Sequence, residues 1–145
     1  MNVLIVTAEQ EIFRGEAFKV VAPGKAGEIA ILPGHAPLLA ILRPGRLRIH
    51  CHHINIIDEI CVDIVVYGGF LEAQPDAVII LADAIERAVD IDKSQAEKAV
   101  KQAKEQLVSA RGKDIDRAIL MLELELARLK VASKGRGLQP SGGRR

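Results

Sequence analysis

Glycine and proline punctuate this chain densely up to about Asp83 and then almost vanish, and that change limits what it can fold into. Before it, turn signals stand at Gly15, Pro23-Gly24, Gly27, Pro33-Gly34, Pro44-Gly45, Gly68-Gly69 and Pro75-Asp76. Short runs rich in aliphatic and β-branched residues lie between them, at 3–7, 18–22, 28–32, 38–42, 47–50, 61–66, 70–73 and 78–81. Strands at this spacing, with no helical segment between them, fit a sandwich or barrel and not alternating βα units. Arg46-Leu47-Arg48-Ile49-His50 alternates in period two, apolar one way and basic the other. The connections are too short for parallel crossovers, so the ladder is expected to be largely antiparallel.

From 90 to 131 there is no proline and one glycine, and the period becomes helical. Asp90 or Asp92 is placed to cap a first helix, whose stripe is Ala96, Ala99, Val100, Ala103, Leu107 and Ala110. Arg111-Gly112-Lys113 breaks it, with Gly112 at the left-handed position expected after a helix end. Asp114 then opens a second helix that presents Ile115, Ala118, Ile119, Leu122, Leu126 and Leu129, widened by Leu120, Leu124, Ala127 and Val131. So short a break predicts an antiparallel hairpin. Two helices of this length are marginal alone in water, so the pair must dock on the sandwich, on a partner, or on each in turn. The expected organisation is an all-β antiparallel sandwich over 1–85, a two-helix hairpin over 86–133, and a basic tail over 134–145 whose glycine and arginine content predicts disorder.

Charge and composition close off several function classes. Residues 1–90 carry seven basic and twelve acidic side chains, 91–133 carry nine and seven, and the tail carries four basic ones and no acid. That polarity can orient a protein on a larger assembly, but it is not a nucleic-acid signature. Aromatics are 3% of the chain, too few for a base-stacking platform. The N-terminus has neither the basic region nor the long apolar run of a signal peptide, and no apolar stretch approaches the roughly 18 residues that span a bilayer. Two cysteines, Cys51 and Cys61, match a reducing compartment and do not indicate a disulfide framework.

No constellation for catalysis emerges. His50-Cys51-His52-His53 with Cys61 nearby offers metal-binding atoms, but no spaced pair completes a four-ligand set, and a solvent-facing strand end is the expected reading. His35 lies in Leu32-Pro33-Gly34-His35-Ala36-Pro37 without a nucleophile partner, and is expected to be fixed in a rigid turn by backbone hydrogen bonds. The glycines form no phosphate cradle, and Gly68-Gly69 reads as a hairpin turn. A ligand-binding sandwich closed by the hairpin is the alternative class. It would need convergent polar groups on the inner faces, where the strands read as aliphatic core.

Taken together, several strings are specific. Glu9-Gln10-Glu11-Ile12-Phe13-Arg14-Gly15-Glu16, Val20-Val21-Ala22-Pro23-Gly24, Leu32-Pro33-Gly34-His35-Ala36-Pro37-Leu38-Leu39-Ala40, Arg43-Pro44-Gly45, Gly68-Gly69-Phe70-Leu71-Glu72-Ala73-Gln74-Pro75 and Leu81-Ala82-Asp83-Ala84-Ile85-Glu86-Arg87-Ala88 follow one another in order. Over 3–131 the chain resembles the epsilon subunits of F-type ATP synthases. The resemblance implies a sandwich of about ten strands, a helical hairpin, and no catalytic site or cofactor. It implies a place in the rotor stalk, with the gamma subunit, the c-subunit ring and the alpha/beta catalytic head as partners. It also implies a peripheral position on the cytoplasmic face of the bacterial inner membrane, coupling proton flow to ATP synthesis while the hairpin restrains hydrolysis. By position, Glu28 and Arg43 would face the ring. Some members bind ATP through an Ile/Leu-Asp-x-x-Arg-Ala motif. Here Ile91, Asp92 and Ala96 match it, but Gln95 replaces the arginine, and a neutral amide lacks the charged contact to phosphate.

Overall fold

The computed structural model describes residues 1–53 and 56–134. Eight strands form the β module: β1 (Asn2–Val6), β2 (Glu11–Glu16), β3 (Lys19–Gly24), β4 (Gly27–Ile31), β5 (Leu38–His53), β6 (Ile56–Gln74), β7 (Ala77–Ala82) and β8 (Ile85–Arg87). They run in the order β2-β1-β7-β6-β5-β3-β4, with β8 against β6. Every pairing is antiparallel except that of β1 with β7, two strands far enough apart in sequence to run parallel without a tight connection.

The expected number of strands, about ten, is corrected to eight. β5 and β6 are each continuous through a bend that the sequence marks with a turn signal. Pro44-Gly45 lies inside β5, and Gly68-Gly69, read above as a hairpin turn, lies inside β6. The pairing runs from Leu42↔Gly69 to Pro44↔Tyr67 with the step between them unpaired, so the two interruptions flank one gap and the ladder folds over at one place. Gly68 and Gly69 have φ of 91° and 124°, and a Cβ on Gly69 would stand 2.0 Å from the Leu81 carbonyl oxygen. Only glycine fits there. The fold-over encloses a core of nineteen buried residues, nearly all aliphatic, that includes Ile5, Val20, Ile31, Leu47, Ile49, Ile64, Leu71 and Ile80.

Two elements escaped the sequence pattern. β2 contains Gly15, yet Ile12 and Phe13 are buried and the Phe13 ring covers the glycine. β8 has only three residues. A second correction concerns the cysteines: Cys51 and Cys61 are joined as a disulfide, their Cα atoms 5.8 Å apart across β5 and β6. That separation lies within the range a disulfide spans.

A single 3₁₀ turn (Ala88–Asp90) leads into α1 (Lys93–Ser109) and α2 (Asp114–Lys134). Asp92 caps α1, its Oδ1 accepting from the Gln95 N–H at 3.1 Å. Gly112, at φ 58°, reverses the chain as expected. Ala96, Val100 and Ala103 of α1 and Ala118, Ala127 and Val131 of α2 are buried. Ile115 and Ile119, expected in the seam, stay substantially exposed; the α2 residues that meet β5 and the docking cluster lie from Glu123 onward. No helix among the described residues is long and apolar enough to cross a membrane. The tail from residue 135 lies outside the described residues.

Candidate interaction surfaces

β5 and β6 present two opposite faces to solvent and to the helices, and each is unusual. The first is an apolar face on the half of the sheet built from β5, β6, β7 and β1. The ladder aligns Ile41 with Phe70, Phe70 with Leu81, and Leu81 with Val6 in one row. Leu39, Glu72, Ile79 and Leu4 form the next row. Leu39 is 71% exposed and Phe70 48%, with Ile41, Ile79 and Leu81 between about the same limits or slightly below. Glu72 is the sole charge in the two rows. Alternate residues of the same strands, Leu71, Ala73, Val78, Ile80 and Ala82, fill the core. These strands are therefore apolar on both faces, although only one face is covered. A contiguous exposed apolar face of this kind marks an interaction site. The sequence signal was present in the unbroken runs Leu38-Leu39-Ala40-Ile41-Leu42 and Val78-Ile79-Ile80-Leu81-Ala82, but such runs also read as core.

The second face carries the hairpin, docked on the sandwich. Val62, Ile64 and Val66 point into the main core, while Val65 points the other way and packs with Ile91, Ala96 and Val131. Tyr67, Ala88, Leu124, Leu129 and Ala132 surround that small cluster. Beside it lies a polar latch. The Arg128 guanidinium of α2 donates from Nε and Nη2 to the two carboxylate oxygens of Glu86 in β8, both at 2.9 Å. Its Nη1 donates to Glu125 at 3.0 Å. The Tyr67 hydroxyl donates to Glu86 Oε2 at 2.6 Å. Arg128 and Tyr67 hold the Glu86 carboxyl below its ordinary 4.5, Arg128 contributing most. Burial, reinforced by the adjacent carboxylate, pushes the Tyr67 phenol up to about 12. The Arg128 pKa is raised in turn, chiefly by its bonds to Glu86.

Glu28 and Arg43 come together on one cleft of about 250 Å³ between β5 and α2, which Arg46, Arg48, Glu123 and Lys130 also line. Neither is free. Glu28 accepts from Arg48 at 2.9 Å, and Arg43 pairs with Glu123 of α2 at 2.8 Å. Beneath them, Arg46 grips the buried carboxylate of Asp63 at 2.6 and 2.7 Å. Of the ATP motif, Ile91 and Ala96 are buried in the docking cluster, Asp92 is the helix cap, and Gln95 is exposed.

The histidines divide. The expected solvent-facing strand end is wrong for His50, which is buried beside Phe18, because the ladder with β3 continues to Lys19↔His50 and covers it. His52 lies against the same Phe18 ring, with centroids 4.4 Å apart. His53 has no described side chain. No group of metal-ligating side chains occurs among the described residues. His35 is fixed in its turn as expected: its N–H donates to the Leu32 carbonyl at 3.1 Å, and Nδ1 lies 2.6 Å from the Ala36 carbonyl.

Residues 1–88 match the family model described as ATP synthase, Delta/Epsilon chain, beta-sandwich domain. The ATP synthase epsilon chain of Bordetella parapertussis is 45% identical over 129 residues, which cover 89% of this chain and 86% of that one. That of Acidithiobacillus ferridurans is 45% identical over 136 residues, covering 92% of each. Among solved structures, a chain of the Euglena gracilis mitochondrial ATP synthase, determined as the OSCP/F1/c-ring in rotational state 1, superposes with a TM-score of 0.65 at 20% identity, covering 90% of this chain and 79% of that one. At that identity the superposition speaks for the fold alone. A sandwich that ends in a docked helical hairpin, a family match over the sandwich and relatives alike over nearly their whole length leave one conclusion: the chain belongs to the ATP synthase epsilon chains.

Proposed function

We propose that this chain is a non-catalytic subunit of the rotor stalk, coupling proton movement through the membrane ring to ATP synthesis in the catalytic head. The observation that carries the reading is the exposed apolar face of Leu39, Ile41, Phe70, Ile79 and Leu81. A covering partner of the right shape is what such a face requires, and the gamma subunit is the partner the epsilon family supplies. Glu28 and Arg43 are assigned to the ring. Contact there would exchange their pairs with Arg48 and Glu123 for intermolecular ones. Arg43 would thereby release part of α2, linking ring contact to the hairpin.

The hairpin is assigned the regulatory role. Its docking cluster has four buried residues against nineteen in the sandwich core, so its release costs far less than unfolding. Released, it would extend toward the alpha/beta head and restrain hydrolysis. The complex would place the chain peripherally, on the cytoplasmic face of the bacterial inner membrane.

Co-expression with gamma tests the docking face. The intact chain should co-purify with gamma, and a variant carrying Ile41→Lys and Phe70→Glu, an opposite-charge pair across the ladder, should not, while still unfolding in one cooperative transition within about 5 °C of the wild type, since both side chains are already exposed. Undiminished co-purification of the variant would remove the apolar face from the reading. Truncation before Ile91, in the reconstituted complex, tests the hairpin: hydrolysis should rise and synthesis persist.

A further inference from the structure

Cys51 and Cys61 belong to neither interaction surface, yet they sit where the β5/β6 ladder is least regular. From Leu47↔Ile64 to Ile49↔Val62 the pairing is continuous. Beyond it the register shifts between Ile49 and His50, and again between Cys51 and His53. Each shift removes ladder hydrogen bonds, so the outer part of this hairpin is held by fewer backbone contacts than the rest. Cys61 is the extra residue at the first shift, without a partner in the ladder, and Cys51 lies between the two shifts. Both cysteines are half-buried at the border of the main core, so their sulfurs are sheltered but within reach of a small thiol. The reduced state is also accommodated. The Cys61 Sγ lies 3.5 Å from the Ile49 carbonyl oxygen, an acceptor already in place for a thiol S–H.

We propose that Cys51 and Cys61 form a reversible thiol–disulfide exchange site, with glutathione-type thiols as its reaction partners, whose oxidation fixes the order of the outer β5/β6 hairpin. In oxidation, the thiolate of one cysteine attacks a sulfur of glutathione disulfide and releases one glutathione thiolate. The second cysteine's thiolate then attacks the cysteine sulfur of the mixed disulfide, forming the Cys51–Cys61 bond and releasing the second glutathione. Two protons leave the cysteine thiols and two electrons pass to glutathione disulfide, which becomes two glutathione molecules. Reduction reverses both steps. The bond joins two strands at a sequence separation of 10, restricting the separation of the paired strand residues on either side of it. When it is broken, the ladder outside Ile49 and Val62 loses its tie, and with it the support for Phe18, which packs on His50 and His52.

The test uses the full chain. Purified protein is equilibrated in buffers of varied glutathione to glutathione disulfide ratio, then assayed by maleimide labelling with intact mass and by hydrogen exchange. Oxidation should remove both thiols together, at the mass of a monomer lighter by two hydrogens. Exchange in peptides spanning 49–62 should slow by about tenfold or more, while β1 and β7 remain unchanged, and reductant should restore the original pattern. A Cys51→Ser, Cys61→Ser variant should show the reduced pattern in every buffer. Persistent glutathione adducts, disulfide-linked dimers, or exchange in 49–62 that differs less than twofold between the two states would each overturn the proposal. Because wild-type protein is compared with itself, the result stands even where the double variant folds poorly.

Discussion

Replacing Arg128 by alanine isolates the latch between the hairpin and the sandwich. Arg128 gives Glu86 two of the three hydrogen bonds described at its carboxylate; the third comes from Tyr67. Hydrogen bonds between charged partners contribute about 1.5–3 kcal/mol when sheltered from water. The Arg128 and Glu86 side chains retain 24% and 18% of their exposure, so solvent screens part of that, and about 2 kcal/mol is the expected loss. In the docking equilibrium this is a factor of about thirty. Amide exchange in α1 and α2 should therefore accelerate by about thirtyfold, while the strands exchange as before. Arg128→Lys keeps a charge but loses the two-pronged geometry, so its effect should fall between. Tyr67→Phe removes one bond and should cost about 1 kcal/mol. Unchanged helix exchange in Arg128→Ala would show that the apolar cluster and the Arg43–Glu123 pair hold the hairpin without the latch. Equal acceleration in β1 and β7 would show that the hairpin and sandwich open as one unit.

Other outcomes follow from the same geometry. Docking should weaken at both extremes of pH. Glu86 is held below 4.5, so its contribution is complete above that value and lost as acid protonates it. Tyr67 is raised from 10.0 to about 12, so its contribution is complete below pH 10 and lost as pH climbs to 12; as the only tyrosine, it can be followed by ultraviolet titration of the phenolate. Gly69→Ala should cost on the order of 3 kcal/mol or abolish folding, because its Cβ meets backbone, whereas Gly112→Ala, with open space around it, should cost about 1–2 kcal/mol in a denaturant melt. Titration calorimetry with MgATP should detect no micromolar binding, since exposed Gln95 brings no charge to the position where the motif has an arginine.

The two-module plan was legible because its signals are local. Strand runs, helical stripes, the Asp92 cap and the Gly112 reversal each depend on a few adjacent residues. What failed was the meaning of punctuation inside long strands. Pro44-Gly45 and Gly68-Gly69 mark a bend in a paired ladder, and a bend and a turn require the same residues. The latch was less accessible still. Glu86 and Arg128 are 42 positions apart, and nothing in either segment names the other. One trace existed: Arg128 interrupts Leu126-Ala127-Arg128-Leu129, and a charge within an apolar stripe is rarely buried without a partner. The disulfide depended on register, which the bulges around Cys51 set and composition does not reveal.

β5 and β6 tie the surfaces together. Their halves before and after the bend present the apolar docking face through Ile41 and Phe70, and the hairpin seat through Val65 and Tyr67. The bend at Pro44-Gly45 and Gly68-Gly69 separates the two. Arg43 precedes that bend and pairs with Glu123 of α2; Tyr67 precedes its counterpart and bonds Glu86. A partner that shifts the bend therefore acts on both sandwich-side ends of the latch at once, through a ladder whose core side is rigidly packed. Close packing resists gradual deformation, so such a shift is expected to release or hold the helices as discrete states. The small docking cluster makes release of the helices cheaper than unfolding of the sandwich, and the continuous strands make the distance between surfaces short.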